Sequence, residues 1–186
     1  SAQTRIAILE AAIDCLKEHG YARTTTQLIA QTAEISRGAM LHHYATKQEL
    51  IASLIDYAFY RRMELFLARI NELTDDERVQ RHAGIELYWK SLLTREFNAT
   101  LELSMAARTD AELRAILLPK HQEYDRIERE TVRRAFPEWH KDAARYELAM
   151  DFCIASMEGL LLNRDVWKGR RRRVMLRAFI SNTLQL

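Results

Sequence analysis

Apolar residues at Ile6, Leu9, Ile13 and Leu16 recur at intervals of three and four, which puts them on one face of a helix over residues 4–19. Thr4 is placed to cap its start, and Gly20 stands where a left-handed terminator would end it. The polar loop Arg23-Thr24-Thr25-Thr26 leads into a short helix over 26–33, whose Leu28, Ile29 and Ala33 feed a small core and whose Ala30 allows close approach of another helix. Ser36 caps a third helix, 37–43, expected to turn Met40 and Leu41 inward. Thr46 caps a longer one from Lys47 to about Ile70, with the apolar line Leu50, Leu54, Tyr57, Ala58, Leu65 and Ile70. The polar stretch Asn71 to Asp76 is the clearest break. Beyond it helical periodicity returns over about 76–94, 97–107, 110–135, 140–165 and 170–184, with Asp110 as an N-cap, Pro119 expected to kink the long helix, Phe136-Pro137-Glu138 ending it and Lys168-Gly169 separating the last two.

Two prolines and five glycines in 186 residues are few breakers, and 48% hydrophobic content is enough for a substantial core. Together they favour an all-α fold with short connections. No uncharged stretch approaches a membrane span and no secretory leader opens the chain, so the expected compartment is the cytoplasm and no membrane partner is expected. Cys15 and Cys153 lie far apart, match no metal or redox spacing, and read as buried thiols. The net charge of +2 says little. In residues 1–50, Arg5, Lys17, Arg23, Arg37 and Lys47 are matched by Glu10, Asp14, Glu18, Glu34 and Glu49. Bulk charge therefore does not argue for nucleic acid; the placement of individual groups must.

That placement is informative over Thr24–Lys47. Two short helices joined by a tight turn, the second carrying small and polar residues at its start, can present a helix to a DNA major groove. Ser36, Arg37, Gly38 and Ala39 allow backbone and side chains to approach base edges: Arg37 can fork onto a guanine, and Ala39 can meet a thymine methyl. Thr25, Thr26, Gln27, His42, His43 and Lys47 are candidates for gripping phosphates, with Thr25 or Thr26 also offering helix N-terminal amides.

Residues 4–50 resemble the tetracycline-repressor (TetR) family of bacterial transcriptional regulators through Gly20-Tyr21, Thr24-Thr25, Leu28-Ile29-Ala30, Ala33, Ile35-Ser36-Arg37-Gly38, and His42-His43-Tyr44 followed by Thr46-Lys47. The resemblance implies that Ser36 to His43 is the recognition helix, that Thr25, His42 and Lys47 touch phosphates, and that Arg37, Gly38 and Ala39 face bases. Two positions depart from the family. Its turn usually has glycine where this chain has Glu34, and its recognition helix usually has tyrosine where Leu41 stands. The first puts a side chain on a left-handed residue, which costs roughly 1 kcal/mol. The second removes a hydroxyl from which the family draws a phosphate contact.

The rest of the chain shows no nucleophile-base pattern, phosphate loop or metal spacing, so neither an enzyme nor a cofactor is expected. His121 with Glu123, and Glu138 with His140, are two apart and do not share a helix face. Large apolar residues with occasional polar partners instead suggest a cavity for a small, mainly apolar effector, with candidate lining residues Trp89, Phe97, Leu101, Met105, Tyr124, Phe152 and Met157 and candidate anchors Glu102, Arg108 and His121. Packed core is the bland alternative for each. The stripes Leu148, Phe152, Ala155, Gly159, Leu162 and Leu176, Phe179, Ile180, with Val174 and Leu184, suggest a two-fold four-helix interface, which the resemblance also implies. The run Arg170–Arg173 reads first as a solvated face and second as an extra DNA contact.

The expected architecture is thus an N-terminal three-helix helix-turn-helix domain over 1–48, the motif itself over about 25–44, and a C-terminal helical bundle over 49–186 for effector binding and dimerisation. The expected function is a ligand-responsive regulator, a repressor in the first instance, that binds near-palindromic operator DNA as a homodimer and is released by an effector. A helical carrier or enzyme with an apolar pocket, and a helical protein-binding adaptor, are the rival readings.

Overall fold

The computed structural model describes residues 1–79, 81–137, 143–166 and 170–183; side chains at 79, 81–82, 143–145, 170–173, 181 and 183 are outside the described set. The described residues form ten helices: α1 Ala2–Arg23, α2 Thr26–Thr32, α3 Arg37–His43, α4 Lys47–Asn71, α5 Asp75–Val79, α6 Arg81–Leu92, α7 Arg95–Ala106, α8 Ala111–Ala135, α9 Ala143–Leu162 and α10 Arg170–Thr183. No strand occurs among them. Fold class is all-α, with the helix-turn-helix pair at the N-terminal end.

Helix boundaries follow side-chain caps. Oγ1 of Thr25 accepts the Leu28 N–H at 3.1 Å, and Oγ of Ser36 accepts the Ala39 N–H at 3.1 Å. Thr46 accepts from Glu49 at 3.1 Å, Thr94 from Phe97 at 3.3 Å and Asp110 from Leu113 at 2.9 Å. At Thr74 the box is reciprocal: the Glu77 N–H donates to Thr74 Oγ1 at 3.3 Å and the Thr74 N–H to Glu77 Oε2 at 2.9 Å. Four expectations need correction. Ser1, not Thr4, caps α1, taking the Thr4 N–H at 3.3 Å. Gly20 has φ 73° but ψ 168°, so it kinks α1, which resumes to Arg23, rather than ending it as a left-handed cap. In α4 the buried residue is Phe66, 8% exposed, and Leu65 is only half-buried. Leu41 is 47% exposed, because Met40 and Tyr44 already fill the inward face of α3.

The helices fall into two compact units, residues 1–64 with 94–127, and residues 65–93 with 128–186. In the first, α1 packs on α7 and α2, and α2 on α3. Its core joins Ile8, Ile13 and Leu16 of α1 to Ile29, Met40, Leu50, Leu54 and Leu103, all essentially without exposure. Polar groups bind α1 to α7 along its length. The Arg95 guanidinium holds Glu10 and, at 2.9 Å, Asp14, while Tyr57 donates its hydroxyl to Glu10. Toward the other end, the Tyr21 N–H donates to Glu102 Oε1 at 3.0 Å, and a Cβ at Gly20 would lie 2.9 Å from that oxygen. The positive φ favours glycine there, while a Cβ would displace the Glu102 carboxylate from its bond to Tyr21.

In the second unit α6, α9 and α10 pack together. Phe136, Met157, Leu160 and Leu161 are buried, and Arg177 crosses the Trp89 ring at 5.0 Å to reach Glu86 at 3.0 Å. Cys15 and Cys153 are free and buried in their respective units. Burial pushes both thiols up, Cys153 to about 11. No described helix is long and apolar enough to cross a membrane.

Candidate nucleic-acid interface

The turn between α2 and α3 is built from three backbone bonds: Ala33 N–H to Ile29 O at 2.8 Å, Glu34 N–H to Gln31 O at 3.1 Å and Ile35 N–H to Ala30 O at 3.0 Å. The last two are the paired bonds of a Schellman motif, which requires a left-handed residue just past the helix. Glu34 occupies that position with φ 55°, the one non-glycine residue with positive φ among the described residues. The turn therefore keeps its geometry without glycine.

Ser36 then starts α3, and exposure sorts its residues. Ser36, Arg37, Gly38, Leu41 and His42 are exposed, Ala39 and His43 are half-buried, and Met40 and Tyr44 are buried. One face is thus anchored and the other bare. Arg37 makes no ion pair with Glu34 or any other described residue, leaving its N–H fork unoccupied. A Cβ at Gly38 would meet only Ser36 Oγ, at 3.8 Å; the fold has room for a side chain there, so glycine simply keeps the surface low. Thr25 and Gln27 are exposed at the start of α2, and Thr26 is half-buried.

The cationic groups around this face differ. The rings of His42 and His43 meet edge-on at 5.5 Å. Loss of hydration, then positive neighbours including His42 and Arg5, push the His43 imidazole down. Arg5, which sequence reasoning passed over, lies exposed with its guanidinium 5.1 Å above the Tyr44 ring. Lys47 is half-buried: its Nζ sits 4.0 Å from the Tyr21 ring centroid and donates to the Tyr21 carbonyl at 3.4 Å, and burial lowers its pKa. Its ammonium is held by α1 more than it is offered to solvent.

The effector candidates are divided between the two compact units. Phe97, Leu101, Glu102, Met105, Arg108, His121 and Tyr124 belong to the first unit, and Trp89, Phe152 and Met157 to the second. Glu102 is committed to the Tyr21 N–H, and Met105 and Arg108 are exposed. Tyr124 stacks on Phe59 at 3.8 Å and donates to Asp56, which also holds Lys120 at 2.5 Å; burial and that carboxylate push the phenol strongly up. Arg62, which was not among the candidates, lies 4.8 Å over Phe97, and its charge helps to lower the pKa of the exposed His121. No group of three or more metal-type ligands occurs among the described residues; Glu138 and His140 lie outside them.

Of the interface candidates, Leu148 is 71% exposed, Phe152 41%, Leu162 55% and Phe179 66%. Ala155 is exposed, and Gly159 and Leu176 are half-buried. Ile180 is a correction: at 6% exposure it packs inside its own unit and is not free for a partner. Val174 and Met175, 45% and 61% exposed, add to the apolar surface of α10. Leu184 and the side chains of Arg170–Arg173 lie outside the described residues.

Comparison with known proteins bears on the same face. The family described as "Bacterial regulatory proteins, tetR family" matches residues 8–54. An HTH-type transcriptional regulator of Mycobacterium tuberculosis is 32% identical over 116 residues, 62% of this chain and 58% of that one. The HTH-type transcriptional repressor AcnR of Corynebacterium efficiens is 32% identical over 116 residues, 60% of this chain and 55% of that one. The chain thus matches little more than half the length of these relatives. A TetR transcription regulator from Haloarcula marismortui shares the fold with a TM-score of 0.74, 18% identity and coverage of 100% and 98% of the two chains.

Proposed function

We propose that this chain, whose residues 8–54 belong to the tetR family of bacterial regulatory proteins, is a ligand-responsive, DNA-binding transcriptional regulator and acts as a repressor. One observation carries the proposal: the exposed face of α3 presents an unpaired Arg37 beside a side-chain-free Gly38, on a helix locked from behind by Met40 and Tyr44. In this reading Arg37, Gly38 and Ala39 contact base edges. Thr25, Thr26, Gln27, Ser36, His42 and His43 fix the backbone, with Arg5 added to them. Lys47 contributes to a phosphate contact only as far as its hold on Tyr21 permits.

The division of labour runs between residues 1–48, which read DNA, and 49–186, which bind effector and a second copy. The exposed apolar residues of α9 and α10 support a homodimer, since a monomer leaves Leu148, Leu162 and Phe179 in water. Two recognition helices would then enter successive major grooves about 34–36 Å apart on a near-palindromic site. A small, mainly apolar effector releases the dimer by favouring a state less suited to that spacing. Coupling of this kind is typically about 1–3 kcal/mol.

The test is a fluorescence-anisotropy titration of the protein against genomic fragments, including the DNA upstream of its own gene, at several salt concentrations. A preferred fragment and affinity falling with salt are expected. Absence of any salt-dependent preference overturns the regulator reading and favours a helical carrier.

A further inference from the structure

We propose that Arg62 is the effector anchor and that the effector is an organic carboxylate on an apolar body. The inference rests on the effector reading above and goes beyond it by naming the ligand's charge. Arg62 buries its Nε with no hydrogen-bond partner, and no ion pair reaches it from any described residue. A guanidinium cannot shed its proton to escape that situation. Arg95, Arg129 and Arg177 are half-buried too, and each holds a carboxylate: Asp14 at 2.9 Å, Glu147 at 2.8 Å and Glu86 at 3.0 Å. Among the described residues Arg69 is the other arginine with an orphaned buried nitrogen, and it belongs to the other compact unit.

What surrounds Arg62 suits an anion. Its plane lies over Phe97 at 4.8 Å, which fixes the fork without using any N–H donor. His121 of α8 is exposed at the surface, and loss of hydration, then the Arg62 charge, lowers its pKa. A neutral imidazole supplies a donor without a second positive charge, and no acid nearby has claimed the arginine. Leu101 stands one turn beyond Phe97 on α7 and is half-buried. A planar carboxylate fits a guanidinium fork in two parallel bonds, which a compact halide or a neutral amide cannot reproduce. The Phe97 ring against the guanidinium makes an oily carboxylate a better match than free phosphate.

The experiment is isothermal titration calorimetry of the full chain with benzoate, phenylacetate and octanoate, each paired with its primary amide, repeated on Arg62→Gln and Arg62→Lys. In the unaltered protein at least one carboxylate should bind about tenfold or more tighter than its amide. Arg62→Gln should abolish that preference while leaving operator affinity without probe unchanged, and Arg62→Lys should keep part of it. Equal binding of acids and amides, a preference that survives Arg62→Gln, or no binding by any of the six at millimolar concentration overturns the proposal. Thermal melting of Arg62→Met guards against a purely structural role: methionine keeps much of the apolar stem and removes the orphaned Nε, so the midpoint should not fall, and a clear drop counts against the anchor. Operator titrations run in parallel keep the two readings apart. Loss of all DNA preference sinks the regulator, whereas intact DNA binding released equally by amides and acids sinks only the carboxylate.

Discussion

Two exposed faces of this molecule ask for opposite partners. On α3, the solvent side is Arg37, Gly38 and His42, with Leu41 the lone large apolar group. On α9 and α10 it is Leu148, Phe152, Leu162, Met175 and Phe179. Equal accessibility carries different free energy. The first face is content in water and, in the proposed function, gains by exchanging counterions for phosphates; the second loses about 25 cal/mol for each Å2 of apolar surface left wet. Exposure alone therefore does not identify an interface. Its chemistry does.

The comparison breaks most visibly at the apolar face. If α9 and α10 form the proposed dimer, the double change Leu148→Glu and Phe179→Glu should yield a monomer in sedimentation, and cost roughly a hundredfold or more in operator affinity through lost bivalency. A variant that stays dimeric would move the interface elsewhere. At the polar face Arg37→Ala should cost about 1–3 kcal/mol and relax preference at one base step, read by anisotropy on a mutated operator series. Lys47→Ala should weaken all sequences alike and by less, because its ammonium already serves the Tyr21 carbonyl. Equal loss of specificity from both variants would undo the separation of reading from gripping.

How much of this was legible along the chain depends on sequence distance. The caps at Thr25, Ser36, Thr46 and Asp110 each bond an amide three residues on, and all four follow from residue type and local pattern. The fold class and the bare face of α3 follow from them. The cross-links Arg95 to Glu10 and Asp14, Glu102 to Tyr21, and Asp56 to Lys120 and Tyr124 join residues more than sixty apart. Periodicity shows that a helix has a buried face, but not which helix covers it, so Glu102 resembled a ligand anchor and Arg62 went unnoticed. Two single residues show the same limit. Thr24 is polar yet wholly buried, because its hydroxyl donates to the Gly20 carbonyl at 2.8 Å. Leu41 is apolar yet exposed, because its neighbours filled the core first.

The long-range links are themselves testable. Arg95 grips three acids of α1 and α7 from a position 35% exposed, so solvent screens much of its charge. Arg95→Ala should cost about 1 kcal/mol in chemical denaturation, the scale of exposed pairs with some benefit from networking. A loss no larger than that of Arg61→Ala, whose pair with Glu64 lies within one helix, would mean that the network holds α1 no better than a surface contact.

The smallest effect lies at Glu34, where backbone and charge can be separated. A left-handed residue with a Cβ costs about 1–2 kcal/mol, and glycine returns about 0.5–1 of it through the entropy of the unfolded chain. Glu34→Gly should therefore stabilise by less than about 1 kcal/mol, a rise of roughly 1–3 °C in a domain of this size. Glu34→Gln keeps the positive φ and removes only the carboxylate, so it should melt with the unaltered protein. On DNA the two variants should behave alike. An exposed acid beside the proposed DNA face would repel phosphates, so both variants should bind operator somewhat more tightly at low salt and converge with the unaltered protein at high salt. If Glu34→Gln melts as high as Glu34→Gly, the strain is not in the backbone and the turn tolerates a side chain at no cost.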